Sequence, residues 1–401
     1  MPSLGNRAAP CEATRMSLRR DLYLSRKPLA GFFAIGVSWS VYFAQMPVIK
    51  ANVGASDAVY GIALLVSAFG SLAAMWLAPT AQRLAGGMAM PLGIATVALG
   101  MLTAGVSGTV VALTFAMMLA SAGSGIVDVL VNDRVSHAET HSGRTLMNLN
   151  HALYSFAYAG GALATGVLRS AEIGPLPIFI GLSVLLAGLA YAAREDAVVE
   201  PDTDTAADAP PASVPTLLVF LAGLTVFVAF LSEAVTEGWS ALHLERTLSG
   251  TAAQGALGPA LMGLTMGIGR LFGHGLARYI RDTHLMLLAT LVSAVGLAIA
   301  GNASDVSVAL MGFALGGLGI SVVAPLALAL VGRRVADPAA RLTAISRVSV
   351  MGYGAFFLGP PLMGLVAQGI GLGMAFVLIA GLLALTALLL IPLLSRQMRR
   401  S

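Results

Sequence analysis

The sequence predicts an all-α membrane protein of twelve transmembrane helices, arranged as two pseudo-symmetric six-helix bundles. Three observations predict it: the composition, the recurrence of apolar runs of spanning length, and a repeat of about half the chain. Of 401 residues, 57% are hydrophobic and only 10% charged, where a soluble domain carries roughly a quarter charged residues. A helix needs about 20 mainly apolar residues to cross a hydrocarbon core of ~30 Å, and such runs recur from one end of the chain to the other.

The first run opens only near Leu29 and continues unbroken to about Val48, so it reads as a retained helix and not as a cleaved signal peptide. Residues 1–28 hold six basic side chains (Arg7, Arg15, Arg19, Arg20, Arg26 and Lys27) and read as a cytoplasmic tail without a fold. Hydropathy and helix breakers place spans near 29–49, 58–80, 88–106, 109–131, 145–168 and 174–193, giving an amino-terminal bundle over 29–193. A second set near 215–237, 255–277, 284–301, 306–331, 342–368 and 373–394 gives a carboxy-terminal bundle over 215–395, followed by a short tail, 396–401. Between them 194–214 is rich in acids and prolines (Glu195, Asp196, Glu200, Asp202, Asp204, Asp208, Pro210, Pro211). It has no apolar area to bury and predicts a flexible cytoplasmic linker.

With the amino terminus inside, the inner segments carry eighteen of the 23 Lys and Arg, against three on the outer side. The positive-inside rule then places both termini in the cytoplasm. Because these charges sit in short inter-helical segments and not in one patch, the pI of about 9.5 reads as topology and not as a nucleic-acid footprint. The single Cys11 excludes a disulfide framework or thiolate metal cluster within the chain. Only two lysines, Lys27 and Lys50, in an arginine- and alanine-rich chain suggest a GC-rich bacterium and hence the cell inner membrane.

Three landmarks carry the repeat. Gly54-Ala-Ser-Asp-Ala before the second span parallels Gly250-Thr-Ala-Ala before the eighth, Arg83 parallels Arg278, and Arg144 opening the fifth span parallels Arg341 opening the eleventh. Parallel six-helix repeats are a transporter architecture, and the many glycines let helices approach closely in lipid.

On these features the chain resembles the major facilitator superfamily over nearly its whole length. That family carries a Gly, Asp, Arg, Gly-Arg pattern between helices two and three; here Arg83 remains, while Gln82 and Ala85 replace the acid and the glycine. The second copy keeps Gly273, Arg278 and Arg281 and lacks the acid. Asp128-Val-Leu-Val-Asn132, followed by Gly143-Arg144-Thr-Leu-Met-Asn148-Leu-Asn-His151, looks like the branch that includes fucose–proton symporters. The resemblance implies proton coupling at the position of Asp128 and a polar residue at that of His151. Glu233-Ala-Val-Thr-Glu237-Gly-Trp239 and Met266-Gly-Ile-Gly269-Arg270 look like bacterial relatives of unassigned substrate.

An ionisable side chain at helix depth costs at least ~2.5 kcal/mol unless paired or wetted, so each such residue is a functional candidate. Asp128 near the end of helix four and His151 near the start of helix five share the cytoplasmic half and are expected within reach of one another; with Glu233 they form the expected proton-coupling set. Two readings of Asp128 stay open: a transported proton, or an inner-gate network with Asn132, Arg134 or Arg144. The expected gating residues are Arg83, Asn132, Arg144, Arg278 and Arg341. The expected substrate-binding residues are Gln45, Asn148, Asn150, Trp239 and Arg347. Arg347 stands six residues into helix eleven, as the approximate counterpart of Asn150, and is either the partner of an acid across the halves or an anchor for an anionic or hydroxyl-rich solute. Trp239 is either an interface anchor or a stacking surface. Snorkelling is the favoured reading of Arg270, and simple hydration that of Glu237.

No His-rich cluster, Gly-x-Ser-x-Gly or phosphate loop points to an enzyme, and no selectivity filter or charged ring points to a channel. The expectation is a secondary transporter working by alternating access, monomeric, with a small-molecule substrate and the lipid bilayer as its partners. It needs no cofactor beyond a proton gradient. Proton symport of a small polar metabolite such as a sugar is one reading; proton-driven efflux of amphipathic compounds is the alternative.

Overall fold

The protein is described by a computed structural model over residues 9–195, 214–276, 279–335 and 337–399. Among these residues helices run through all twelve predicted spans. The first half holds α1 (Ala9–Ala44), α2 (Asp57–Ala85), α3 (Ala89–Gly105), α4 (Val110–Ser142), α5 (Met147–Ser170) and α6 (Pro175–Ala192). The second holds α7 (Thr216–Leu242), α8 (Ala252–Leu276), α9 (Asp282–Asn302), α10 (Val306–Ile320, resuming over Val323–Arg334), α11 (Pro338–Ile370) and α12 (Leu372–Leu385, resuming over Ile391–Arg399).

The helix ends follow from local chemistry. Side-chain oxygens of Ser56, Thr109, Asp305 and Asp337 accept backbone N–H groups at the starts of α2, α4, α10 and α11, as N-capping requires. Gly143 ends α4 in the left-handed region at φ 66°, a conformation that glycine adopts without strain. α1 breaks at Gln45, and the chain resumes as a short helix, Met46–Asn52, bent by 59°.

Among the described residues eight helical stretches are long and apolar enough to cross a membrane, nine when the bent α1 pair counts as one, with α2 and α3 forming a single continuous stretch. α5 and α8 fall outside that set. They pack against each other across the two halves, and Ser155 of α5 and Arg270 of α8 are turned to one another instead of to lipid.

Packing repeats with the sequence. In the first half α1 packs on α5, α2 on α4, α3 on α4 and α3 on α6; in the second α7 packs on α11, α8 on α10, α9 on α10 and α9 on α12. The halves meet through α5 with α8 and α2 with α11, again a related pair. A Cβ on Gly61 would collide with the Pro360 carbonyl, and one on Gly364 with that of Asp57, so glycines set the close approach of α2 and α11.

At two places the chain is more ordered than its composition suggests. Helix α1 begins at Ala9, inside the expected tail, and Asp21 and Ser25 on it bond to Arg144 and Asn150. Glu195, read as the start of the loose linker, is held by Arg134 at 2.9 and 3.1 Å. Arg278 and linker residues 196–213 lie outside the described residues.

Candidate functional site

Polar groups at helix depth gather between the halves. On α5, His151, Tyr154, Ser155 and Tyr158 are spaced three and four apart and share one face; on α7, Glu233 and Glu237 do the same. Arg270 of α8 joins them. Its Nη1 donates to Ser155 Oγ at 2.8 Å, and its Nη2 lies 3.4 Å from Glu233 Oε1. Ser155 donates in turn to the His151 carbonyl at 3.0 Å, leaving its lone pairs for the guanidinium. Arg270 therefore does not snorkel: it ties an acid of its own half to a hydroxyl of the other. Tyr154 lies in the electrostatic field of Asp128, Glu233, Glu237 and Arg270 together, and Tyr353 of α11 in that of Asp128 and Glu233, so these charges border one region.

Asp128 and His151 do not meet. Asn132 donates to the Asp128 carboxylate at 3.2 Å and to its carbonyl at 2.8 Å, and Asn132 is the carboxylate's hydrogen-bond partner among the described residues. His151 instead packs edge-on against Phe32 of α1, with ring centroids 4.9 Å apart. The reason is the position of α1, which packs on both α4 and α5 and stands between them.

The expected substrate residues scatter. Asn150 is buried and binds Ser25 Oγ at 2.9 Å, tying α5 to α1. Asn148 is exposed, as is Arg347, which has no hydrogen bond or ion pair among the described residues. Gln45 is buried at the α1 break with neither end of its amide partnered. Trp239 is only 1% exposed and meets Tyr60 edge-on at 5.8 Å, while Tyr60 and Tyr42 share a 2.8 Å hydrogen bond. It plugs the interface between the halves and is neither a membrane-interface anchor nor an open stacking surface. Glu237, expected to be hydrated, is buried.

Of the expected gating residues, Arg83, Arg144 and Arg341 lie at the end of the bundle that carries both termini, and Asn132 bonds to Asp128 within α4. Arg144 pairs with Asp21, and that hydrogen bond holds the guanidinium above its ordinary pKa. Arg83 donates to Thr80 at 3.3 Å and Arg341 to the Val335 carbonyl at 3.1 Å.

At the opposite, distal end the ion pairs cross between halves. Arg169 at the end of α5 makes a two-pronged contact with Glu245, which follows α7, at 2.6 and 2.9 Å, and donates to the Ala44 carbonyl at 2.7 Å. Arg246 grips Asp57 at 2.8 and 2.6 Å, and Lys50 lies 2.9 Å from the same carboxylate. The Ala58 N–H adds a bond to Gln368 Oε1 at 3.1 Å. An open depression of ≈ 320 Å³ lined by Pro47, Lys50, Ala51, Leu242, Glu245 and Arg246 sits over this latch. The sequence reading missed all five charged residues. Their signal was available: Lys50, Arg169 and Arg246 are the three basic residues that stand on the side disfavoured by the charge asymmetry.

The chain matches the family described as Major Facilitator Superfamily over residues 222–401. It is 30% identical to an uncharacterized MFS-type transporter of Yersinia pestis, over 89% of this chain and 92% of the relative. Among solved structures it is similar to the nucleoside transporter NupG (TM-score 0.71, 13% identity, 94% and 99% of the two chains). It is also similar to the E. coli fucose:proton symporter FucP in its N162A form (TM-score 0.62, 15% identity, 95% and 100%).

Proposed function

The chain belongs to the major facilitator superfamily, a multi-pass membrane transporter of a small-molecule substrate, and from that premise we propose that it couples protons to symport of a small polar metabolite such as a sugar. The observation that carries the reading is the Arg270–Glu233 pair, bridged to Ser155 of the other half at helix depth. Arginine keeps its charge throughout, whereas a carboxylate can trade its charge for a proton. Protonation of Glu233 frees the guanidinium to hold a hydroxyl or anionic group of the solute; deprotonation takes it back. Asp128, bordering the same region, is the second acid available for coupling.

Movement follows from where the two halves are fastened. The distal latch closes one end with ion pairs that cross between the halves. Alternating access then consists of rocking the halves so that Asp57–Arg246 and Arg169–Glu245 separate and the other end closes. We place the protein in a bacterial inner membrane with both termini cytoplasmic, on the Lys and Arg asymmetry, working as a monomer without a cofactor.

The test is thermal stability of purified protein with sugars, organic acids, amino acids and lipophilic cations, followed by uptake of any responding solute into proteoliposomes under a proton gradient. A polar solute that raises stability and is taken up with protons supports symport. If lipophilic cations alone respond and are expelled, the reading is wrong and the chain is an exporter.

A further inference from the structure

The depression over the distal latch is built by both halves. Pro47, Lys50 and Ala51 of the short helix Met46–Asn52 form one wall, and Leu242 at the end of α7, with Glu245 and Arg246 just beyond it, forms the other. The charges of the latch do not cancel. Asp57 and Glu245 supply two negative charges to it, and Lys50, Arg169 and Arg246 three positive ones. Both oxygens of Glu245 are taken up by Arg169, whereas the single carboxylate of Asp57 is shared by Arg246 and Lys50. The surplus positive charge therefore falls to Lys50 and Arg246, the two cations that line the depression. Glu172 and Asp305, the other acids at this end among the described residues, are not part of its wall.

Both cations also have donors to spare. A guanidinium carries five N–H groups and an ammonium three. Arg246 spends two on Asp57, which leaves three. Lys50 spends one on the same carboxylate and one on the Ala55 carbonyl at 2.7 Å, which leaves one. Arg246 is half-exposed, so its remaining donors are open to a ligand. Pro47, Ala51 and Leu242 add an apolar surface beside them, where hydrogen bonds to an ion are less weakened by water. The volume of ≈ 320 Å³ admits a carboxylate or phosphate with a short organic body.

We propose that Lys50 and Arg246 form a binding site for a small oxyanion, a carboxylate or a phosphate, at the distal mouth of the protein. Because one cation belongs to each half, the site exists only while that end is shut. A ligand that binds one of two conformations shifts the population toward it, so the anion holds the latch closed. It is either an anionic solute met on the distal side or a free ion of the medium that is not carried. The site goes beyond the symport reading and does not depend on it.

The experiment is a melting-temperature titration of the purified full chain at constant ionic strength, in which sodium acetate or sodium phosphate replaces sodium chloride. The site predicts a saturable rise with at least one of them, its half-saturation concentration raised about ten-fold in Arg246→Gln and several-fold in Lys50→Gln. Arg333→Gln, which removes an exposed arginine paired with Asp282 at the opposite end, leaves the half-saturation unchanged. At saturation the same anion slows the labelling of Ser240→Cys by an impermeant maleimide added from the distal side. Uptake of the stabilising anion into proteoliposomes assigns the site to the solute, and stabilisation without uptake assigns it to a free ion; either result upholds the site. No response to either anion overturns the proposal. So does a rise that grows linearly and equally in wild type and both variants, which is exclusion of salt from the protein surface, and so does labelling that the anion leaves unchanged or speeds. If Arg246→Gln does not fold, an unchanged half-saturation in Lys50→Gln overturns it instead.

Discussion

The Asp57 carboxylate and the Arg246 guanidinium meet through two hydrogen bonds, of 2.8 and 2.6 Å, between residues 189 positions apart in sequence. Asp57 opens α2 in the first half and Arg246 follows α7 in the second, so this contact exists only while the distal end is shut. Removing one partner of a buried ion pair leaves the other charge uncompensated; with Arg246 44% exposed, solvent screens part of that loss, and about 1–2 kcal/mol remains. Asp57→Asn is expected to shift the protein toward distal-open forms. A cysteine introduced at Ser240 should then react faster with a membrane-impermeant maleimide added from the distal side, and an unchanged rate would remove Asp57 from the latch.

Arg169 and Glu245 form the second arm of the latch, and both are largely buried, at 6% and 17% side-chain exposure. A double-mutant cycle on thermal unfolding with Arg169→Gln and Glu245→Gln is expected to give a coupling of about 0.5–3 kcal/mol. Arg169 also donates to the Ala44 carbonyl, so its single substitution should cost more than that of Glu245. Equal costs with no coupling would mean that the pair contributes nothing to closure.

Asp128 and His151 are held apart by α1, so their substitutions should act independently. The stability changes of Asp128→Asn and His151→Gln are expected to add within about 0.3–0.5 kcal/mol in the double variant. A larger interaction term would mean that the two side chains touch after all.

Trp239 fills the interface next to Tyr60, and its truncation removes a fully buried aromatic ring. Trp239→Ala is expected to destabilise by about 3–5 kcal/mol, read as a lower melting temperature without any solute present. A variant of normal stability and reduced solute affinity would restore the stacking reading.

The spans were legible in the sequence because a helix in lipid must announce itself by about 20 apolar residues; the repeat was legible because Arg83 and Arg278, and Arg144 and Arg341, mark equivalent loops. The partners of the buried charges were not. Arg270 meets Ser155 across 115 positions and Arg169 meets Glu245 across 76, and such pairs depend on how two bundles face each other, which hydropathy does not encode. Asp128 and His151 miss each other for the same reason: succession in sequence does not make α4 and α5 close neighbours, and α1 packs on both. The latch left one trace, since Lys50, Arg169 and Arg246 are the outer-side exceptions to the charge asymmetry, and each of the three has its acid.

In the proposed mechanism Glu233, released from or returned to Arg270, carries the coupling proton. This role is tested most directly by loading proteoliposomes with a pH-sensitive dye and recording proton entry on addition of the responding solute, for wild type and Glu233→Gln. Proton entry with the solute in the wild type, and its loss in a Glu233→Gln variant that still exchanges solute across the membrane, is the predicted result. Undiminished solute-driven proton entry in Glu233→Gln would contradict it.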